Sequence, residues 1–142
     1  AAVLFSCNFN AVRSPMAEAM MKHLYGHIVY VDSAGVRKQP VDPFVIEVMD
    51  EIGIDISRHK PKTFDELEDT SFDLVITLTP EAQHKALELT RSMAVDVEYW
   101  PMPDPTAAAG SREQVLEAYR QLRDRLMAKI TQRFGPLAPA KG

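Results

Sequence analysis

Residues 3–16 run Val3-Leu4-Phe5-Ser6-Cys7-Asn8-Phe9-Asn10-Ala11-Val12-Arg13-Ser14-Pro15-Met16. A short apolar run, a polar loop opening on a cysteine, and a Ser-Pro pair follow one another directly. Residues 2–6 read as a first strand, and Ser14 as the N-cap of a helix with Pro15 in its first turn. That order puts the loop beyond the carboxyl end of a strand, where open α/β sheets bind ligands. The spacing is cysteine, five residues, arginine. Five residues let the backbone curl until its N–H groups converge into an anion-binding nest, and the helix N-terminus behind it adds partial positive charge. Arg13 at the far rim can grip two oxygens with its planar fork. Cys7 then lies at the floor, where the donors that hold an oxyanion also stabilise a thiolate. Ser14 can donate its hydroxyl to the sulfur. On spacing alone a small, inert core cysteine is the better reading; the strand–loop–helix placement reverses that.

Outward from this loop, apolar runs alternate with helical patterns, the signature of a parallel sheet with crossover helices. Met16, Met20 and Leu24 give the first helix one apolar face, and Gly26 ends it. A second strand is expected over residues 27–31, with Asp32-Ser33-Ala34-Gly35 at its carboxyl end. Asp42-Pro43 opens the next helix, with Val45, Val48, Met49 and Ile52 as its buried stripe and Gly53 as its stop. An irregular polar stretch covers residues 55–69. The third strand is expected at 72–78, followed by a helix from Thr79-Pro80 that turns Ala82, Ala86 and Leu89 inward. Residues 95–100 form the fourth strand, and the prolines at 101, 103 and 105 impose an irregular loop. Ser111 with Gln114 three residues on is a capping box, opening a long helix with Val115, Tyr119, Leu122, Leu126 and Ile130 on its core side. Arg120, Arg123, Asp124 and Arg125 read as its solvated face. The expectation is one α/β domain with four parallel strands over residues 1–134, and a disordered tail at 135–142.

Composition bounds the function. The chain has 142 residues, and a formal net charge of −4 argues against a nucleic-acid or membrane-surface binder, which would carry a basic face. No apolar stretch approaches the ~20 residues that span a bilayer. Residues 1–6 are too short and lack the basic leader of a signal peptide, so the expected address is cytoplasmic. One cysteine excludes an internal disulfide and a thiolate-rich zinc site. The histidines His23, His27, His59 and His84 form no spaced ligand pair, and neither metal nor cofactor is expected.

At these residues the sequence resembles the low-molecular-weight protein tyrosine phosphatases and the arsenate reductases that share their fold. Residues 3–5, Cys7, Asn10 and Arg13-Ser14-Pro15-Met16-Ala17-Glu18-Ala19 match the phosphatase signature, and the likeness extends over nearly the whole chain. It implies a flavodoxin-like three-layer sandwich, with strand order 2-1-3-4 and helices on both faces. It implies an oxyanion site made by Asn8, Phe9, Asn10, Ala11, Val12, Arg13 and Ser14 around Cys7. Ser33 and His59 resemble the family's serine and histidine that, with Ser14, hold the loop asparagine, here Asn10. Without the resemblance, His59 reads equally as an exposed loop histidine. Asp104-Pro105 resembles the general-acid loop, and a carboxyl there can protonate a leaving oxygen and later accept a proton from water. Alone, Asp-Pro is an ordinary turn start.

The departures bear on substrate. Phe9 stands where the phosphatases usually carry glycine, and Val12 where they carry a second cysteine. Thr106 and Ala107 replace the tyrosines that commonly follow the acid, and the loop after Gly35 lacks an aromatic wall residue; Phe9 can supply part of that ring. Asn10-Ala11, Trp100, Gly110 and the stretch from Arg120 to Asp124 look like the reductase branch. Thr79 stands where the thioredoxin-coupled reductases place a second cysteine, so their internal relay is impossible here. Phosphate, arsenate or a phosphorylated molecule such as a phosphotyrosine protein is the expected ligand. A cysteine-dependent phosphomonoesterase is the first reading. Arsenate reduction with an external thiol or a glutaredoxin-like partner is the second, and a non-catalytic oxyanion- or phosphopeptide-binding module is the third.

Overall fold

The computed structural model describes residues 1–68 and 71–135. β1 (Ala2–Cys7) is flanked by β2 (Tyr30–Gly35) and β3 (Leu74–Thr77), and β4 (Asp96–Tyr99) completes a parallel sheet of order β2-β1-β3-β4. This is the expected order and hand of pairing. β1 is central, and five of its six residues are buried, as a strand covered on both faces must be. Its side chains alternate. Val3, Phe5 and Cys7 enter the larger core with α1 (Arg13–Tyr25), α2 (Pro43–Asp50) and α4 (Arg112–Phe134), whereas Leu4 faces the smaller core under α3 (Pro80–Leu89). Three layers result. Because all four strands run the same way, the loops after β1, β2, β3 and β4 gather at one edge of the sheet.

Several helix signals act as their chemistry dictates. Asp42 caps α2 by accepting from the Phe44 N–H at 2.9 Å, with Pro43 in the first turn. Thr79 caps α3 through Ala82 N–H. Both bonds of the Ser111–Gln114 capping box form. Other expectations are corrected. β2 begins at Tyr30, not His27, because the amides of Ile28 and Val29 fold back onto the Tyr25 carbonyl as the close of α1, leaving Ile28 exposed. α2 stops at Asp50, so Ile52 lies beyond it and is partly exposed. The irregular stretch holds a short 3₁₀ turn, Phe64–Glu66, and a bridge from Thr63 to Gly35. Arg123 is no solvated residue: it is buried against the Val48 carbonyl and pairs with Glu51. Arg120 also pairs with Glu51, and the two guanidiniums, Arg120 foremost, pull the Glu51 carboxyl down to about 2. α2 is thereby pinned to α4. Of the expected tail, Gly135 ends α4 with φ 82° and accepts the Tyr25 hydroxyl at 2.6 Å; residues 136–142 lie outside the described residues.

Candidate active site

Cys7 is the last residue of β1, and α1 begins six residues later at Arg13. The connecting loop is shaped by its neighbour, residues 36–42, whose amides take its carbonyls one after another. Val36 N–H donates to Cys7 O (3.1 Å), Arg37 to Asn8 O (2.8 Å), Gln39 to Phe9 O (3.1 Å) and Asp42 to Ala11 O (3.2 Å). In a trans peptide the N–H points opposite to its carbonyl. The amides of Phe9, Asn10 and Val12 therefore face away from that segment, and the loop becomes a one-sided ring of donors. The ring needs one left-handed residue, and Asn10 supplies it at φ 53°, a conformation asparagine tolerates better than most residues.

Asn10 is fully buried and all its side-chain polar atoms are engaged. Its Nδ2 donates to Ser14 Oγ (2.8 Å) and Ser33 Oγ (2.9 Å), and its Oδ1 accepts from the Lys62 amide (3.0 Å). His59 Nε2 lies 3.0 Å from the same Oδ1. An amide oxygen only accepts, so the His59 proton resides on Nε2. Ser33 Oγ in turn donates a hydrogen bond to Glu18 Oε1, and the other Glu18 oxygen pairs with Lys22 at 2.5 Å. Ser14, Ser33 and His59 thus converge on one asparagine, and with it they fix the left-handed corner of the ring.

Ser14 is not the expected N-cap. Val12 occupies that position without a side-chain bond, and Ser14 lies inside α1. Its hydroxyl accepts from Asn10 and sits 2.9 Å from Cys7 Sγ, while its amide points at the same sulfur at 3.4 Å. With its lone pair committed to Asn10, its proton is available to the sulfur. The helix N-terminus is thereby capped by the thiol.

A cavity of about 370 Å³ opens over the ring. Cys7, Arg13, Asp104 and Thr106 line it together with the apolar side chains of Phe9, Pro40, Val41 and Pro43. Arg13 Nη1 donates to the Met102 carbonyl at 3.2 Å, which ties it to the loop carrying Asp104. Asp104 is exposed, and one of its oxygens accepts from the Thr106 amide (3.0 Å) and hydroxyl (2.6 Å). Asn8 points elsewhere: its Oδ1 accepts from the buried Thr79 hydroxyl at 2.7 Å. A smaller, mainly apolar cavity of about 130 Å³ lies against α3, between Leu4, Phe72 and Leu89, and its lining holds no thiol or hydroxyl. Among the described residues no group of three or more His, Cys, Asp or Glu is placed to hold a metal ion, and no helix is long and apolar enough to cross a membrane.

Three contributors were not singled out as site residues by sequence. Glu18 is a buried carboxylate inside the Arg13–Ala19 run, and its i,i+4 relation to Ser14 is the signal that puts it on the loop side of the helix. Lys62 acts through its backbone, which no residue-type pattern reveals. Gly35 acts by having no side chain. A Cβ there would stand 2.7 Å from Asn10 N and 2.8 Å from the Phe9 carbonyl carbon, both rigid backbone. Gly35→Ala is therefore expected to push the ring outward and weaken binding of inorganic phosphate at least about tenfold, as titration calorimetry would show.

Burial holds the His59 pKa below its ordinary 6.5; the Glu18 charge opposes this and the Lys62 charge reinforces it. In the folded chain the ring is neutral where the unfolded chain would already be protonated. Stability is therefore expected to fall as pH drops below about 6.5, and a His59→Gln variant should lose that portion of the pH dependence in denaturant titrations.

Comparison with known proteins gives the family and the fold. Residues 2–138 match the family described as low molecular weight phosphotyrosine protein phosphatase. A curated arsenate reductase of Halalkalibacterium halodurans is 35% identical over 128 residues, covering 90% of this chain and 91% of the relative. The crystal structure of a low molecular weight protein tyrosine phosphatase from T. tengcongensis superposes with a TM-score of 0.78 at 26% identity, covering 94% of this chain and 97% of the other. An arsenate reductase in its phosphate-binding state gives 0.74 at 27%, covering 96% and 98%. With a donor ring, a thiol beneath it and a match over nearly its full length, the chain belongs to the low molecular weight phosphotyrosine protein phosphatase family.

Proposed function

We propose that this chain hydrolyses phosphomonoesters through a phosphocysteine intermediate. The observation that carries the reading is the convergence of Cys7, Arg13 and Asp104 on one cavity above a ring of backbone donors. The Cys7 thiolate attacks phosphorus, an S–P bond forms and the P–O bond to the leaving group breaks. Asp104 gives its proton to the departing oxygen. Arg13 and the ring amides hold the non-bridging oxygens and stabilise their charge as it builds. Water then attacks phosphorus, Asp104 takes a proton back, and the thiolate leaves with the Ser14 hydroxyl donating to it. Phe9 at the cavity mouth gives an aryl leaving group a ring to lie against, which favours phosphotyrosine-like substrates. A lone free thiol fits a reducing, cytoplasmic setting.

The arsenate reductase names of the relatives favour one further reading. Arsenate fits the same ring, and its reduction takes two electrons, released as one disulfide. Cys7 and one external thiol supply them, leaving a mixed disulfide that a second external thiol or a glutaredoxin-like partner resolves. Thr79, bound to Asn8 and capping α3, offers no sulfur of its own.

The test is turnover of p-nitrophenyl phosphate with chelator and reductant present. Hydrolysis that saturates and is competed by inorganic phosphate supports the phosphatase. No hydrolysis by a folded sample, with arsenite formed from arsenate and glutathione, moves the assignment to the reductase.

A further inference from the structure

By sequence Asp42 is a helix start and Tyr119 a core residue. Their geometry gives them more to do. The Asp42 amide donates to Ala11 O in the outer half of the ring; its Oδ1 caps α2, and its Oδ2 accepts the Tyr119 hydroxyl at 2.6 Å. Tyr119 is 2% exposed and packs its ring on Phe44, with centroids 5.3 Å apart. It lies in the first half of α4, the helix that follows the acid loop directly and packs on the 3₁₀ turn at Pro105–Ala107. Asp42 and Asp104 line the same cavity. One residue thus touches the ring, α2 and the helix behind the acid.

We propose that the Tyr119–Asp42 hydrogen bond is a positioning clasp that registers the Asp104 loop against the anion ring. Two hydrogen bonds tie that loop directly to residues of the ring or bonded to it. Arg13 grips it at Met102, before the acid, and the clasp grips it through α4, after the acid. Without the second, the Arg120 and Arg123 pairs with Glu51 still hold α4 to α2, but α4 loses its direct tie to a residue bonded to the ring. Asp104 then gains freedom relative to the leaving oxygen, while Val36, Arg37, Gln39 and the Asn10 network keep the ring's shape. Burial, then the Asp42 hydrogen bond and the Asp42 and Asp104 charges, keep the Tyr119 hydroxyl above its ordinary pKa, so it remains a donor through the working range.

The inference rests on the phosphatase reading, and Tyr119→Phe tests it on two esters. Phenyl phosphate has a poor leaving group that needs the acid; p-nitrophenyl phosphate needs it far less. For Tyr119→Phe, kcat/KM on phenyl phosphate is expected to fall about tenfold, against less than about threefold on p-nitrophenyl phosphate. Affinity for inorganic phosphate, measured by calorimetry, should stay within about twofold, which also reports an intact fold. Asp104→Asn should show the same bias at larger amplitude, about 10²-fold on the poor leaving group. Equal losses on both esters, or no loss on either, would overturn the clasp while leaving the phosphatase reading standing. Failure of the wild type to hydrolyse either ester would overturn both.

Discussion

Cys7→Ser is expected to abolish steady-state turnover, by on the order of 10⁴-fold or more, while inorganic phosphate still binds. The two groups bonded to Cys7 Sγ are the Ser14 hydroxyl and the Ser14 amide. Both can donate, and neither is a base that could take a proton. A serine hydroxyl in that place would therefore have no base to activate it. The ring, by contrast, is set by residues 36–42 and by Asn10, none of which depends on the sulfur. Phosphate affinity, read by calorimetry, is therefore expected to stay within about threefold of wild type. The pairing of the two measurements matters. A non-catalytic oxyanion binder would keep its entire function in Cys7→Ser, whereas both enzyme readings lose theirs. If the serine variant turned over p-nitrophenyl phosphate within tenfold of wild type, the nucleophile would have to be another residue.

How much of this was legible in the sequence depended on whether a signal was local. Asp42-Pro43, Thr79-Pro80 and Ser111 with Gln114 act within one helical turn, and each does as read. The order of strands and helices was equally legible, because apolar runs and helical stripes are properties of single segments. Boundaries failed where composition and hydrogen bonding disagree. Ile28 and Val29 have the composition of a strand, yet their amides close α1 and Ile28 stays in water. Ser14 failed for a different reason. Ser-Pro is a good local cap signal, but the Ser14 hydroxyl is taken by Asn10 and the Cys7 sulfur within the loop, and those bonds outweigh the cap. That Cys7, Arg13 and Asp104 would share one cavity was legible, for the first two from spacing and placement and for Asp104 chiefly from the resemblance. Their support was not: a missing Cβ at Gly35, a backbone amide at Lys62 and a tyrosine reaching across to Asp42 are contacts between segments far apart in the chain.

Arg13→Lys is expected to lower kcat/KM on p-nitrophenyl phosphate by about 10³-fold although the charge is kept. The guanidinium has two tasks. One nitrogen, Nη1, donates to the Met102 carbonyl at 3.2 Å, and the side chain lines the cavity, leaving its other donors for phosphate oxygens. A planar fork does both at once, and its orientation is fixed by the first contact before substrate arrives. Lysine brings three donors on a flexible stem with no plane. It can reach the carbonyl or the anion, and in either case it loses the bidentate grip that strengthens as the phosphoryl group becomes trigonal. Since that grip is tightest in the transition state, the loss should fall mainly on kcat, with KM and phosphate affinity changing by less than about tenfold. Release of the Met102 carbonyl should also free the near side of the acid loop, so Arg13→Lys should add a leaving-group bias like that of Tyr119→Phe. A lysine variant within tenfold of wild type would mean that positive charge alone holds the phosphoryl group, and that the fork geometry at Arg13 contributes little to catalysis.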